Sequence, residues 1–312
     1  MTVVPSSAGA SSTSPTTPTR SSPPSDPGRS TSASPGSGGL TRSVLLDLAA
    51  RHGVRPKKSL GQHFLADPNV ARAIARDAGA APGVRFLEVG AGLGSLTVAL
   101  AAAGAEVLAV ETDARLVAAV DEVVGEFDGV RVVHADATRA NWSALLGDGR
   151  WQMASNLPYH VAVPVLLDLL EHAPEVDPFV AMVQREVGER LAAGPSEPAF
   201  GAVSLKAAYR ASVRVVRRVG PSVFWPEPAV ESVVLRLDRR PPPVTVPAPV
   251  LFGLIEEGFG QRRKTMASAL VRMGRSRDEA RAALRRAGLD PRVRAEALGL
   301  EEFARLADAL DA

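Results

Sequence analysis

The chain has 312 residues, a formal net charge of +2 and 46 % hydrophobic residues, enough apolar material for one large domain or two smaller ones with real cores. It has no cysteine, which excludes a disulfide framework and any Cys-ligated zinc or iron–sulfur site and accords with a reducing cytoplasm. No apolar run reaches the roughly 18 residues of a membrane span, and no basic segment followed by an apolar one opens the chain, so a cytoplasmic protein without membrane attachment is expected.

Residues 1–40 are mostly Ser, Pro, Thr, Gly and Ala. They offer too little to bury to offset chain entropy, and a disordered tail is expected. The stretch TRSVLLDLAARHG places Val44, Leu45, Leu48 and Ala49 on one helical face. DPNVARAIARDAGA predicts a second helix, with Asp67 as N-cap and Pro68 in its first turn. From Val84 onward short apolar strands alternate with helices: VRFLEVG, SLTVALAAAG, EVLAVETD, ARLVAAVDEVVG, VRVVHADA, and WQMASNLPY with its turn. This spacing predicts βαβ units and a parallel sheet. VPVLLDLLEHA reads as the next helix and PFVAMVQREVGERLAA as a strand running into a helix. VSLKAAYRASVRVVRRVG and SVVLRLDRR read as later strands, the first with a helical or mixed start that the pattern does not separate. PPPVTVPAP (Pro241–Pro249) is a stiff linker, and everything after it is helical in pattern. The expected division is a tail over 1–40, an α/β domain over 41–242 and a small helical domain over 243–312.

The candidate ligand site begins in FLEVGAGLGSLT, where Gly90, Gly92 and Gly94 lie between a strand and a helix. Glycines there permit a sharp turn and close approach of a ligand to the backbone. The motif is weak alone, but its neighbours sharpen it. Glu111 ends the next strand, where an acid can accept ribose hydroxyls. Glu88 precedes the first glycine on the strand itself. A carboxylate there suits poorly a pyrophosphate but well a ligand with a cationic end, such as S-adenosylmethionine. Asp136 ends the third strand, in position to accept from an adenine amine. Three acids at the ends of three successive strands form one crevice, where open α/β sheets bind ligands.

The fourth strand ends at the same edge in SNLPYH, Ser155–His160. Asn156 offers a carbonyl acceptor, Pro158 stiffens the turn, and Tyr159, one of two tyrosines in the chain, offers an aromatic face. An adenine on that face would give its N6 hydrogens to Asn156 and to the Leu157 or Pro158 carbonyl. Such acceptors orient the N6 lone pair and stabilise charge; no strong base is required. His160, next in sequence, is expected to point away.

Together these stretches resemble the ribosomal RNA adenine N6,N6-dimethyltransferases, most closely the branch acting on the small subunit. The residues that carry the resemblance are KKSLGQHFL (Lys57–Leu65), EVGAGLGSLT (Glu88–Thr97), ETD (Glu111–Asp113), Asp136–Ala137, NLPY (Asn156–Tyr159), VFWPEPAVESVVLRL (Val223–Leu237) and FGQRRKTM (Phe259–Met266). They fall in the family's order across nearly all of the chain beyond Lys57. The resemblance implies a Rossmann-like class I S-adenosylmethionine-dependent methyltransferase domain with a small C-terminal α-helical domain. It implies dimethylation of two adjacent adenosines near the 3′ end of 16S ribosomal RNA, late in small-subunit assembly. It also assigns roles. Gln62, His63 and Leu65 close over the methionine end of the cofactor, with Gly90 and Gly92 against it. Glu111 takes the ribose, Asp136 and the Ala137 backbone take the adenine, and Asn156 borders cofactor and target base alike. Tyr159 and Phe224 are the two aromatic walls of the target base. The sequence departs from the family at His63, where many relatives carry asparagine; both donate a hydrogen bond, so cofactor binding is expected to survive. Phe224 lies between Gly220-Pro221 and Pro226, in an irregular segment where partial exposure is expected. Stacking on both faces would offset the cost of taking the base out of its helix.

The C-terminal third is the basic part, with 20 Lys/Arg against 13 Asp/Glu from Gly201 onward. Arg262, Arg263 and Lys264, with Arg272, Arg275 and Arg277 beyond, are candidate phosphate contacts that would position RNA without reading its sequence. The expected partner is the small ribosomal subunit through its 16S RNA, and the expected state is a monomer. No metal site is expected.

Overall fold

A computed structural model describes residues 39–57 and 61–311. The expected tail lies outside the described residues except for Gly39 and Leu40, and Leu40 is fully buried in the core. Helix α1 (Arg42–Arg51) buries Leu45, Leu48 and Ala49. After the short strand β1 (Phe64–Leu65), Asp67 caps α2 (Pro68–Ala78) by accepting from the Asn69 N–H, with Pro68 in the first turn.

The alternation read from Val84 then appears as β2 (Arg85–Val89), α3 (Ser95–Ala102), β3 (Glu106–Glu111), α4 (Ala114–Val124), β4 (Val130–His134), the short α5 (Trp142–Leu146), β5 (Trp151–Asn156), α6 (Ala162–His172), β6 (Val176–Gln184) and α7 (Arg185–Ala192). The ambiguous stretch after Gly201 splits at Arg210: α8 is Ala202–Arg210 and β7 is Ala211–Val219. Its apolar positions serve a helix in the first half and a strand in the second, so no single period describes it. Next come β8 (Phe224–Trp225) and β9 (Ser232–Arg239), then four helices, α9 (Ala248–Gly260), α10 (Met266–Arg272), α11 (Arg277–Arg286) and α12 (Leu300–Asp311).

Seven strands form one sheet in the order β4-β3-β2-β5-β6-β9-β7. β2 to β6 run parallel, and β9 and β7 close the far side antiparallel. The chain leaves β2 outward to β3 and β4, then returns to place β5 on the other flank of β2. This reversal opens a crevice at the carboxyl ends of β2 and β5. Alternate strand residues feed opposite faces. Phe86, Val107, Ala109, Ala154 and Val180 pack with α1–α4, while Leu87, Leu108, Met153, Phe179 and Leu235 pack with α5–α8. A third cluster belongs to α9–α12 and takes in Phe200, Leu205 and Tyr209 from before the linker. The linker itself is pinned by buried Val246, whose carbonyl accepts from the Tyr209 hydroxyl at 3.3 Å. Among the described residues no helix is long and apolar enough to cross a membrane.

Candidate active site

The crevice at the switch between β2 and β5 holds a cavity of about 440 Å³. Its floor is the turn after β2. Gly90 has φ +76°, and a Cβ there would stand 2.8 Å from Cδ of Pro158; Gly92 has φ +60°, and its Cβ would stand 2.9 Å from the Phe64 ring. Only glycine lets this loop pass under both groups. β2 and β5 pair at Phe86–Gln152 and Leu87–Met153. Beyond that the buried Ser155 hydroxyl accepts from the Val89 N–H at 2.8 Å, holding the strands together where they begin to part.

Glu111 ties the floor to β3. One carboxylate oxygen accepts from the Gly92 N–H at 2.9 Å, the other from the N–H groups of Thr112 and Asp113 at 2.8 and 3.1 Å. Burial raises its pKa, and the three backbone donors oppose the rise. Asp136 caps a short 3-10 turn, accepting from the hydroxyl and N–H of Thr138 through one oxygen. Those bonds, the hydroxyl first, lower its pKa. Glu88 is different. It is 1 % exposed, and neither its Oε2 nor the nearby Thr97 hydroxyl has a hydrogen-bond partner of acceptable geometry. Desolvation pushes its pKa to about 8; the Thr97 hydroxyl tempers the rise, and the Glu111 charge adds to it. A buried carboxylate without a partner is costly, so at neutral pH the group is held mainly as the neutral acid.

The opposite wall is the turn after β5. The Asn156 amide donates to the His63 carbonyl at 3.1 Å, which leaves its own oxygen available as an acceptor. His63 Nδ1 donates to the Pro226 carbonyl at 2.7 Å, and its ring lies 5.3 Å from the Tyr159 ring. The Tyr159 hydroxyl meets that of Ser232 at 3.0 Å, and burial raises the phenol's pKa. The segment from Gln62 to Leu65 is held over the crevice: the Gln62 side chain accepts from the Lys57 N–H, and Ser95 donates to the Leu65 carbonyl at 2.6 Å.

Gln62, His63, Leu65, Glu88, Gly90, Gly92, Glu111, Asp136, Ala137 and the run Asn156 to Tyr159 all line this one cavity. Phe224 does not. It is fully buried, because β8 pairs with β1 through Leu65–Phe224 and turns its ring into the core, while Trp225 stacks on Phe64 at 5.9 Å. The expectation of a partly exposed Phe224 is thus corrected; the two-residue pairing with β1 was invisible in the sequence. His160 is a second correction: it is exposed and borders the cavity. It sits in a turn, where strand alternation no longer dictates direction. Arg262, Arg263 and Lys264 lie away from the cavity, all exposed, in the turn between α9 and α10. Arg262 donates to the Phe200 carbonyl; Arg263 and Lys264 make no ion pair among the described residues. Arg272, a further candidate, is paired with Glu257.

Sequence reasoning missed the outer edge. A second cavity of about 410 Å³ shares Gly61, His63, Tyr159 and His160 with the first, and is otherwise lined by Gln184 and Pro228–Val230. These come from the end of β6 and from the loop between β8 and β9, too far apart in sequence for any local motif to join them.

A family model described as Ribosomal RNA adenine dimethylase matches residues 53–312. The chain belongs to that family. The dimethylase match covers the glycine loop, the Asn156–Tyr159 turn and the helical C-terminal part alike. Ribosomal RNA small subunit methyltransferase A of Thermobifida fusca is 45 % identical over 275 residues, covering 86 % of this chain and 95 % of that protein. Among solved structures, a dimethyladenosine transferase from Plasmodium falciparum aligns with a TM-score of 0.65 at 21 % identity, over 78 % of this chain and 96 % of that one. The 23S rRNA methyltransferase ErmE aligns with a TM-score of 0.61 at 24 % identity, over 80 % of this chain and all of that one. At these identities the two structures speak for the fold, a Rossmann-like class I methyltransferase with added C-terminal helices.

Proposed function

We propose that this dimethylase transfers methyl groups from S-adenosylmethionine to N6 of two adjacent adenosines near the 3′ end of 16S ribosomal RNA, giving N6,N6-dimethyladenosines as a step in small-subunit biogenesis. The observation that carries the reading is the pairing, in one crevice, of an orphaned buried carboxylate at Glu88 with the Asn156–Tyr159 turn across from it.

The residues present fit the cofactor. Glu88 would hold its ammonium, the turn containing Gly90 and Gly92 would lie against its methionine end, Glu111 would accept from the ribose, and Asp136 with Ala137 would hold the adenine. When bound, S-adenosylmethionine supplies an electrophilic methyl group on a sulfonium. The protein's own contribution is orientation and electrostatics. The Asn156 side-chain oxygen and a carbonyl of Leu157 or Pro158 would accept the two N6 hydrogens of the target adenine, draw its lone pair out of conjugation and stabilise the positive charge that develops on nitrogen. Tyr159 would stack on the base while Ser232 holds its hydroxyl. Phe224, buried as it is, would serve as a second wall only if the β1–β8 pair shifts. The exposed Arg263 and Lys264 would contact RNA phosphates.

The test is transfer of labelled methyl to unmethylated small subunits, large subunits and naked RNA, followed by nucleoside analysis, with Asn156→Ala alongside. Dimethyladenosine on small subunits, lost in the variant, is the expected result. Label confined to large subunits would move the protein to the branch that modifies 23S RNA. Cofactor binding without transfer to any RNA would end the enzymatic reading.

A further inference from the structure

Several polar side chains around the two cavities are already spoken for. Gln62 accepts from Lys57, the Asn156 amide donates to the His63 carbonyl, His63 donates to Pro226, and Tyr159 is bonded to Ser232. Gln184 is not: its carboxamide has no hydrogen-bond partner among the described residues, although the residue is half-buried and borders the outer cavity. Its position is well fixed. It is the last residue of β6, its Cα is paired with Ser232 on β9, and α7 starts immediately after it. Ser232 in turn bonds the Tyr159 hydroxyl, and Gln184 and Tyr159 line the same outer cavity. Of the rest of the outer wall, Pro228, Ala229 and Val230 offer no side-chain donor, and His160, exposed in the turn after β5, is the other side chain there without a hydrogen-bond partner among the described residues.

We infer that Gln184 is a specificity residue for the methylation, donating a hydrogen bond from its side-chain amide to a ring nitrogen of the target adenine in the outer cavity. The inference rests on the proposed function. A base approaching Tyr159 must pass the wall that the two cavities share, because Tyr159, His63 and His160 border both. The N6 hydrogens are taken by the turn after β5, and N1 and N7 are the ring acceptors that flank that amine, with N3 on the far edge beside the sugar. A carboxamide at the end of a rigid strand supplies the missing donor. If the contact is to N1, it also gives the site a reason to reject guanine, whose N1–H would oppose the amide N–H and leave neither group a partner; a contact to N7 would not discriminate between the two purines.

The experiment uses small-subunit particles whose 16S RNA ends in a ligated synthetic segment carrying adenosine, 1-deazaadenosine or 7-deazaadenosine at the target positions. The parent enzyme, Gln184→Ala and Gln184→Glu are compared for kcat/KM, with thermal stability and cofactor binding measured on each. The expected result is that one deaza analogue costs the parent about tenfold, the loss of one hydrogen bond. Both variants should lose about as much on adenosine and no longer distinguish that analogue from adenosine, while still binding cofactor. The arm that responds, 1-deaza or 7-deaza, names the nitrogen. Variants as active as the parent, or variants that discriminate among the analogues as the parent does, overturn the inference and leave the proposed function standing. A parent that methylates none of the adenosine-bearing particles sinks both.

Discussion

Replacing Glu88 by glutamine should make the cofactor-free protein more stable at neutral pH and a poorer binder of its cofactor. Glu88 is fully buried, with one oxygen unpartnered and a pKa raised from 4.5 to about 8. The sign follows from linkage. An acid whose folded-state pKa is raised contributes stability that is complete below its unfolded pKa and is lost as pH rises through the folded one. The loss therefore runs from about pH 4.5 to about pH 8. At pH 7 some 2.5 of those pH units have been crossed, at about 1.4 kcal/mol each, so the parent forgoes about 3 kcal/mol. Glutamine keeps the shape and cannot ionise. Glu88→Gln should unfold about 5–10 °C higher than the parent at pH 7 and at about the same temperature as the parent at pH 4.5, and its stability should not change across the interval because of this site. Cofactor affinity should fall about 10–100-fold, the worth of a charge-assisted hydrogen bond to an ammonium. Scanning calorimetry from pH 4.5 to 8.5 and titration calorimetry with S-adenosylmethionine read both effects. If the two proteins show the same stability at pH 7, Glu88 ionises without penalty and the reasoning fails at its first step. If affinity is unchanged while stability rises, the carboxylate is a buried acid with no part in binding.

Gly90→Ala puts a Cβ 2.8 Å from the Pro158 ring at φ +76°; a left-handed alanine and an overfilled contact together cost about 2–5 kcal/mol, read as a lower melting temperature and weaker cofactor binding. Ser232→Ala strands the part-buried Tyr159 hydroxyl and should destabilise by about 1–3 kcal/mol, whereas adding Tyr159→Phe should restore most of that, since removing both partners leaves nothing unsatisfied; a double variant no more stable than the single one would refute the pairing. Arg263→Ala with Lys264→Ala should leave the melting temperature unchanged, because neither residue makes an ion pair among the described residues, yet weaken RNA binding and flatten its log–log salt dependence by about one unit per lost phosphate contact. An unaltered salt slope would take these residues off the RNA.

Much of the fold and site could be read in the sequence alone, because local rules govern it. Asp67 followed by Pro68 announces a helix start. Alternating strands and helices of ordinary length allow little besides a parallel sheet. The glycines after β2, the acids at the ends of β2, β3 and β4 and the Asn156–Tyr159 turn fall at one sheet edge once that sheet is granted, so this part of the inner cavity's lining could be named in advance, while Gln62, His63, Leu65 and Ala137 came from the family resemblance. Tertiary structure decided what depends on contacts between distant segments. Phe224 was expected to be partly exposed, but its pairing with Leu65 commits its ring to the core. His160 was expected to point away, and the residue is exposed in the turn and borders both cavities. Gln184 is an ordinary strand end in the sequence; only the pairing with β9 sets it beside Ser232, which bonds Tyr159. The sequence by itself determined which elements form and which chemistry they carry. Only the packed chain decided which polar groups satisfy one another and which, like Glu88 and Gln184, are left facing a cavity, because hydrogen-bond satisfaction depends on distances between atoms that the chain separates by tens of residues.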